Sequence, residues 1–297
     1  MPADAKPTRE QLWTVSELLQ WTCDRFTRAG LDEPRVDAEH LLSQALGVAR
    51  MQIYLRFDQV VAEPARATLR DLIRRRLARE PVAYIAGHRG FHALGLDLSV
   101  DRRVLIPRPE TEHLVDWLLE RLPFAPTPIH VRDIGTGSGA IALAVKHARR
   151  DAHVTASDRS ADALAVARDN AARLGLDIDL LESDLLASVP DHPYDAIAAN
   201  LPYIPTADLA DLQPEVRDFE PRLALDGGRD GLDLVRRLIS EAARPGVLTP
   251  GGRLLLEIGM GQADATRDLL LAAGYVDVAA RRDLAGIERI LAGARPG

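Results

Sequence analysis

The run Asp133-Ile-Gly135-Thr-Gly137-Ser-Gly139 constrains this chain more than any other feature. A strand-like stretch from Ile129 to Ile134 leads into it, and a helix-forming stretch from Ala140 to His147 leads out. A strand that breaks on alternating glycines and restarts as a helix opens a βα unit. Glycine permits left-handed backbone and has no side chain to hold a ligand away. The alternation continues downstream. Residues 152–156 read as a strand ending near Asp158, residues 161–174 as a helix closed by Gly175, and residues 178–181 and 194–198 as further strands. A helix over 231–243, a buried strand over 252–258, a helix near 262–273 and two strand-like runs, 275–281 and 286–291, follow. This pattern predicts a doubly wound α/β sheet.

Asp158 and Asp184 close the second and third predicted strands. An acid at the first position accepts ribose hydroxyls, and one at the second accepts an adenine amino hydrogen while Leu185 covers the ring. A dinucleotide fold prefers glycines spaced G-x-G-x-x-G around a pyrophosphate. Here the third glycine comes one residue early, which suits a ligand without phosphate whose methionine tail lies over the turn. Gly135, Thr136, Gly137, Ser138, Gly139, Asp158, Asp184 and Leu185 are therefore expected to bind S-adenosylmethionine, with NAD as the alternative.

Asn200-Leu201-Pro202-Tyr203 follows the fourth strand. The Asn200 side-chain carbonyl and the Leu201 main-chain carbonyl are two acceptors, and Pro202 fixes the turn so that they converge. Two converging acceptors fit the diverging hydrogens of a planar NH2 group, and Tyr203 can lie against that plane. Holding both N–H groups aims the nitrogen lone pair at a methyl donor. No strong general base is needed, because a methylated nitrogen sheds its proton readily. These four residues are expected to bind substrate and carry catalysis, with Asn200 also touching the cofactor.

Residues 1–82 read as a small helical bundle. Thr14 and Glu17 are spaced as helix-capping residues, Gly30 and Gly47 stop helices, and Pro64 begins another. That last helix carries Arg66, Arg70, Arg74, Arg75, Arg76 and Arg79, readable as a solvated face or as a contact surface for an acidic or RNA-bound partner. Residues 83–107 alternate through Leu94, Leu96, Leu98 and Val100 and read as a hairpin linking the bundle to a domain over 108–297.

Composition narrows the classes further. The net charge of -7 argues against bulk nucleic-acid binding by the whole surface. Cys23 is the only cysteine, which excludes an internal disulfide and any multi-cysteine zinc site, and the histidines lack paired ligand spacing. The opening MPADAKPTRE is neither a signal peptide nor an anchor, and no stretch reaches the roughly 18 apolar residues of a membrane span. A cytoplasmic, metal-free monomer is expected.

With these motifs in place, the chain resembles the HemK-type release factor glutamine methyltransferases over nearly its whole length. The resemblance rests on Glu80-Pro81-Val-Ala-Tyr84-Ile-Ala-Gly87, on Leu105-Ile-Pro-Arg-Pro-Glu-Thr-Glu112, and on the Asp133 to Gly139 run. It extends to Asn200 to Tyr203, to Phe219-Glu-Pro-Arg-Leu-Ala-Leu225 with Gly231-Leu232, and to Leu256-Glu-Ile-Gly259 with Gln262. It implies a seven-stranded, Rossmann-like methyltransferase domain behind a bundle that grips the substrate. The implied substrate is the glutamine of a Gly-Gly-Gln motif in class 1 peptide chain release factors, methylated on N5. The family usually has proline where this chain has Leu201. A backbone carbonyl survives that change and rigidity is lost. Asn-Leu-Pro-Tyr is also similar to the motif of ribosomal RNA adenine dimethyltransferases. A ribosomal-protein glutamine, a nucleic-acid adenine, and a catalytically dead adaptor therefore stand as alternatives.

Overall fold

The computed structural model describes residues 12–122, 128–187 and 192–297, and the opening MPADAKPTRE lies outside them. The chain divides into two units, Met1–Ala86 and Gly87–Gly297.

The first unit is helical: α1 Val15–Arg28, α2 Pro34–Leu46, α3 Arg50–Tyr54, α4 Glu63–Leu77 and α5 Val82–Ala86. Thr14 caps α1, and its backbone N–H donates to Glu17 Oε2 at 2.8 Å, the reciprocal capping box that the spacing announced. Leu19, Phe26, Leu41, Leu42, Ile53, Leu69 and Ile73 form the core. The arginines of α4 are largely neutralised at home. Arg66 and Arg70 both lie 2.6 Å from Glu63, Arg74 pairs with Asp71, and Arg75 with Glu80. Arg76 is buried and donates to Asp37 at 2.7 Å, while Arg79 donates to the Gly30 carbonyl at 3.2 Å. The stripe is a charge-balanced helix face that also ties its own bundle together.

The second unit opens with an antiparallel hairpin, β1 His88–Phe91 and β2 Leu96–Ser99. The expected linker is thus structural: Phe91, Leu96 and Leu98 sit in the core of this unit. Tyr84 to Ala86, which precede it, are helical rather than part of a strand. Then follow α6 Pro109–Arg121, β3 His130–Ile134, α7 Ala140–Ala148, β4 His153–Asp158, α8 Ala161–Leu174, β5 Asp179–Glu182 and β6 Tyr194–Asn200. After a short helix, α9 Pro214–Arg217, come α10 Asp233–Ala242, β7 Leu248–Glu257, α11 Ala263–Ala272, β8 Val276–Arg282 and β9 Glu288–Ala294.

The seven-stranded sheet has the order β5-β4-β3-β6-β7-β9-β8. All neighbours are parallel except that β9 runs antiparallel to both β7 and β8. Both faces are covered, and alternate strand residues serve each face. Leu255 belongs to the core with α6 and α7, whereas Leu254 and Leu256 belong to the core with α10. Strand order reverses between β3 and β6, which opens a crevice beyond their C-terminal ends. No helix among the described residues is long and apolar enough to cross a membrane.

Candidate active site

The glycine turn after β3 is folded around a buried carboxylate. Asp133 Oδ2 accepts from the Thr136 hydroxyl at 2.6 Å and from the Ala142 N–H at 3.1 Å. Burial pushes the Asp133 carboxyl up to about 7. The Gly135 and Thr136 N–H groups both donate to the Ser157 carbonyl, at 2.8 and 3.0 Å. All three glycines have positive φ, and each is needed for a different reason. A Cβ at Gly139 would lie 2.9 Å from Leu143 Cδ1, so that glycine lets α7 start against its own next turn. A Cβ at Gly135 would lie 3.2 Å from Leu201 Cδ2 and 3.7 Å from the Asn200 carbonyl oxygen. Gly135 therefore brings the turn against the Asn200–Leu201 loop. A Cβ at Gly137 would meet no atom within 4 Å, because the space beside it is the open cleft. A ligand can lie on this backbone as on a cradle.

Asp158 closes β4. Its Oδ2 accepts from the Gly137 N–H at 3.0 Å and its Oδ1 from the Ser160 N–H at 2.9 Å. Each oxygen keeps a further lone pair for a hydroxyl. Burial raises the Asp158 carboxyl, and the backbone N–H bonds oppose that rise. Asp184 follows β5, lies half exposed, and accepts from Arg237 at 3.1 Å. Leu185 beside it is buried with φ of 51°. The wholly buried Arg132 of β3 pins that loop by donating to the Leu185 carbonyl at 3.3 Å.

Asn200 ends β6. Its Nδ2 donates to Thr111 Oγ1 at 3.0 Å, at the start of α6. Among the described residues no group donates to Asn200 Oδ1 or to the Leu201 carbonyl. Downstream, Gln262 clamps the loop: its Nε2 donates to the Tyr203 carbonyl at 2.9 Å, and its Oε1 accepts from the Gly259 N–H at 2.8 Å. The 227–231 segment packs on the same backbone so tightly that a Cβ at Gly227 would lie 2.7 Å from the Pro202 carbonyl oxygen.

Gly135, Gly137, Asp158, Asp184, Leu185, Asn200, Leu201 and Pro202 together line one cleft. Leu105, Pro221, Leu223 and Leu234 supply apolar walls. The other expected site residues lie around the cleft rather than on it. Thr136 and Ser138 are buried, with Thr136 committed to Asp133 and the Ser138 carbonyl accepting from Asn170 at 2.9 Å. Gly139 sits under α7, and the Tyr203 ring lies toward Gly259. Burial, with Glu257 nearby, pushes the Tyr203 phenol up to about 12, so it stays neutral and is no base.

The donor and acceptor set fits S-adenosylmethionine. Asp158 offers acceptors to a ribose diol, Leu185 and the apolar walls suit a flat purine, and the open flank of Gly137 accommodates a tail. Several supporting residues were not singled out from sequence as site residues: Thr111, Glu257, Gln262, Arg132 and Asn170. One signal was present, since Glu257 interrupts the apolar run Leu254-Leu255-Leu256 of a buried strand.

Comparison with known proteins gives the family and the fold. Residues 17–87 match the PrmC N-terminal domain family and residues 112–211 the methyltransferase small domain family. A release factor glutamine methyltransferase of Geobacter sulfurreducens is 42% identical over 285 residues, covering 96% of this chain and 98% of that protein. One from Deinococcus radiodurans is 44% identical over 283 residues, covering 95% and 99%. A crystal structure of a methyltransferase from Pyrococcus furiosus superposes with a TM-score of 0.51 at 19% identity over 68% of this chain and 90% of that one, which bears on the fold alone.

Proposed function

We propose, because the chain belongs to the release factor glutamine methyltransferase family, that it methylates the side-chain amide nitrogen of the glutamine in the Gly-Gly-Gln motif of class 1 peptide chain release factors, with S-adenosylmethionine as donor. The observation that carries this reading is the contact of the glycine turn with the Asn200–Leu201 loop, 3.2 Å from a Cβ at Gly135 to Leu201 Cδ2. That contact supports a reading in which the two acceptors lie beside the cradle for the donor.

Bound S-adenosylmethionine supplies an electrophilic methyl group. This chain's residues do the rest by orientation. Asp158 would hold the ribose hydroxyls, Asp184 the adenine amino group, and Leu185 the ring face. Asn200 Oδ1 and the Leu201 carbonyl each accept one N–H of the glutamine amide, which fixes the nitrogen and favours its pyramidalisation as charge develops. Leucine at position 201 keeps the required carbonyl, and its side chain packs on the glycine turn. The methylated nitrogen releases its proton to solvent, so no side chain is assigned as base. Residues 1–82 would hold the release factor, and residues 108–297 the reacting groups.

The test is mass spectrometry of a release factor after incubation with enzyme and S-adenosylmethionine. A gain of one methyl on the Gly-Gly-Gln glutamine supports the proposal. Methyl found instead on a ribosomal protein or on adenine, with the release factor unmodified, overturns it.

A further inference from the structure

The chain determines which end of the Asn200 amide faces the substrate, and it does so from behind. Asn200 Nδ2 donates to Thr111 Oγ1 at 3.0 Å, and the Thr111 hydroxyl donates to Glu257 Oε2 at 2.6 Å. A hydroxyl has one hydrogen, and a carboxylate oxygen can only accept. With that hydrogen committed to Glu257, Thr111 Oγ1 has only lone pairs to offer Asn200. The amide must then present NH2 to Thr111 and Oδ1 to the cleft. The direction holds for the ionised carboxylate, the form Glu257 takes above about pH 7, because an ionised oxygen has no hydrogen to give back to Thr111. Thr111 is buried at 3% exposure and Glu257 at 2%, so water does not compete for either group.

A reversed amide would place two hydrogens where the substrate needs an acceptor. An asparagine turned by half a rotation fills the same volume, so packing alone does not choose between the two states. The choice requires a polar neighbour of fixed sense, and that neighbour requires its own acceptor. The two supports come from remote points of the sequence: Thr111 from the first turn of α6, and Glu257 from the last residue of β7.

We propose that Thr111 and Glu257 are positioning residues: by a one-way hydrogen-bond chain they hold Asn200 Oδ1 toward the substrate amide. The consequence for turnover rests on the reading under Proposed function, whereas the orientation itself does not. Glu257 does not line the cleft, so in this proposal it reaches the substrate through Thr111 and Asn200.

The experiment compares Thr111→Val, which keeps shape and removes the hydroxyl, with Thr111→Ser, which keeps the hydroxyl. kcat and KM for the release factor are measured at about pH 8, where a carboxylate is ionised. Hydrogen exchange of the Asn200 side-chain NH2 is followed by NMR, with the resonance assigned by its loss in Asn200→Ala. Thr111→Val should lower kcat tenfold or more, with a smaller change in S-adenosylmethionine Kd, and should abolish protection of the Asn200 hydrogens. Thr111→Ser should stay within about threefold of the parent and keep the protection. Equal loss in both variants, or wild-type kcat and protection in Thr111→Val, overturns the proposal. Glu257→Met is the second variant, should Thr111→Val not fold. It frees the Thr111 hydroxyl to donate to Asn200 Oδ1 and so should also lower kcat, and parent-like turnover there overturns the proposal equally. Parent enzyme that leaves the release factor unmodified but shows protected Asn200 hydrogens would fault the functional reading and not the positioning.

Discussion

Gly231→Ala should disable the enzyme from outside the cleft. Gly231 has φ of 77° and does not line the cleft, yet a Cβ there would lie 2.1 Å from the Tyr203 carbonyl oxygen and 2.5 Å from Gln262 Nε2. Real Cβ atoms keep at least 3.0 Å, so the two sides must separate by about 1 Å. The first bond to give is the one from Gln262 to the Tyr203 carbonyl, at 2.9 Å, which fixes the end of the Asn200-to-Tyr203 loop. A reactive geometry displaced by about 1 Å loses on the order of a hundredfold in rate, and left-handed alanine costs a further 1–2 kcal/mol or so of stability. S-adenosylmethionine affinity should change by less than about tenfold, because Gly137 stands in the turn after β3 and Asp158 on β4, and neither is among the atoms a Cβ at Gly231 would meet. Steady-state kinetics with a release factor, calorimetric titration of S-adenosylmethionine and thermal unfolding separate these effects. Parent-like kcat in a folded variant would refute the reasoning, as would a loss of cofactor affinity as large as the loss of turnover.

Three other outcomes follow from the same geometry. Asp158→Ala removes two charged acceptors of backbone N–H groups and the proposed ribose contact, so the S-adenosylmethionine Kd should rise by roughly ten- to a hundredfold in calorimetry. An unchanged Kd would remove Asp158 from the cofactor site. Asn200→Ala should lower kcat by about a hundredfold or more while S-adenosylmethionine still binds, and parent-like turnover would dismiss the two-acceptor argument. Glu257 sets a stability trend with pH: burial raises its carboxyl from 4.5 to about 7, so folding favours its neutral form. That contribution is present below the unfolded carboxyl's pKa and is lost as pH rises through about 7. Urea denaturation should therefore show the parent losing up to about 3 kcal/mol relative to Glu257→Gln between pH 4.5 and neutrality, and parallel curves would refute this.

The order of strands and helices from Ile129 onward was legible because each strand in a doubly wound sheet is a short apolar run punctuated by glycine or an acid. Residues 161–174 illustrate this, opening after Ser160 and closing on Gly175 as expected. The hairpin was legible as a hairpin but not as part of the second unit. Asn170 of α8 supplies that connection, accepting from the Ser99 N–H at 2.7 Å and donating to the Ser99 and Ser138 carbonyls at 3.0 and 2.9 Å. An asparagine in the middle of a helix gives no sign in sequence of a partner 71 residues away. The same holds for Thr111 and Glu257, which are 146 residues apart and meet only through the fold. Residues that touch the ligand cluster in motifs because a single turn presents them. Residues that hold such a turn from behind come from whichever elements the topology places there.

The most direct measurement is a crystal structure of the enzyme with S-adenosylhomocysteine and a Gly-Gly-Gln peptide. The glutamine Nε2 should lie within hydrogen-bonding distance, about 2.7–3.2 Å, of both Asn200 Oδ1 and the Leu201 carbonyl oxygen, with the sulfur on the glycine-turn side of the nitrogen. A glutamine amide bound elsewhere, or an Asn200 whose NH2 faces the peptide, would contradict the account.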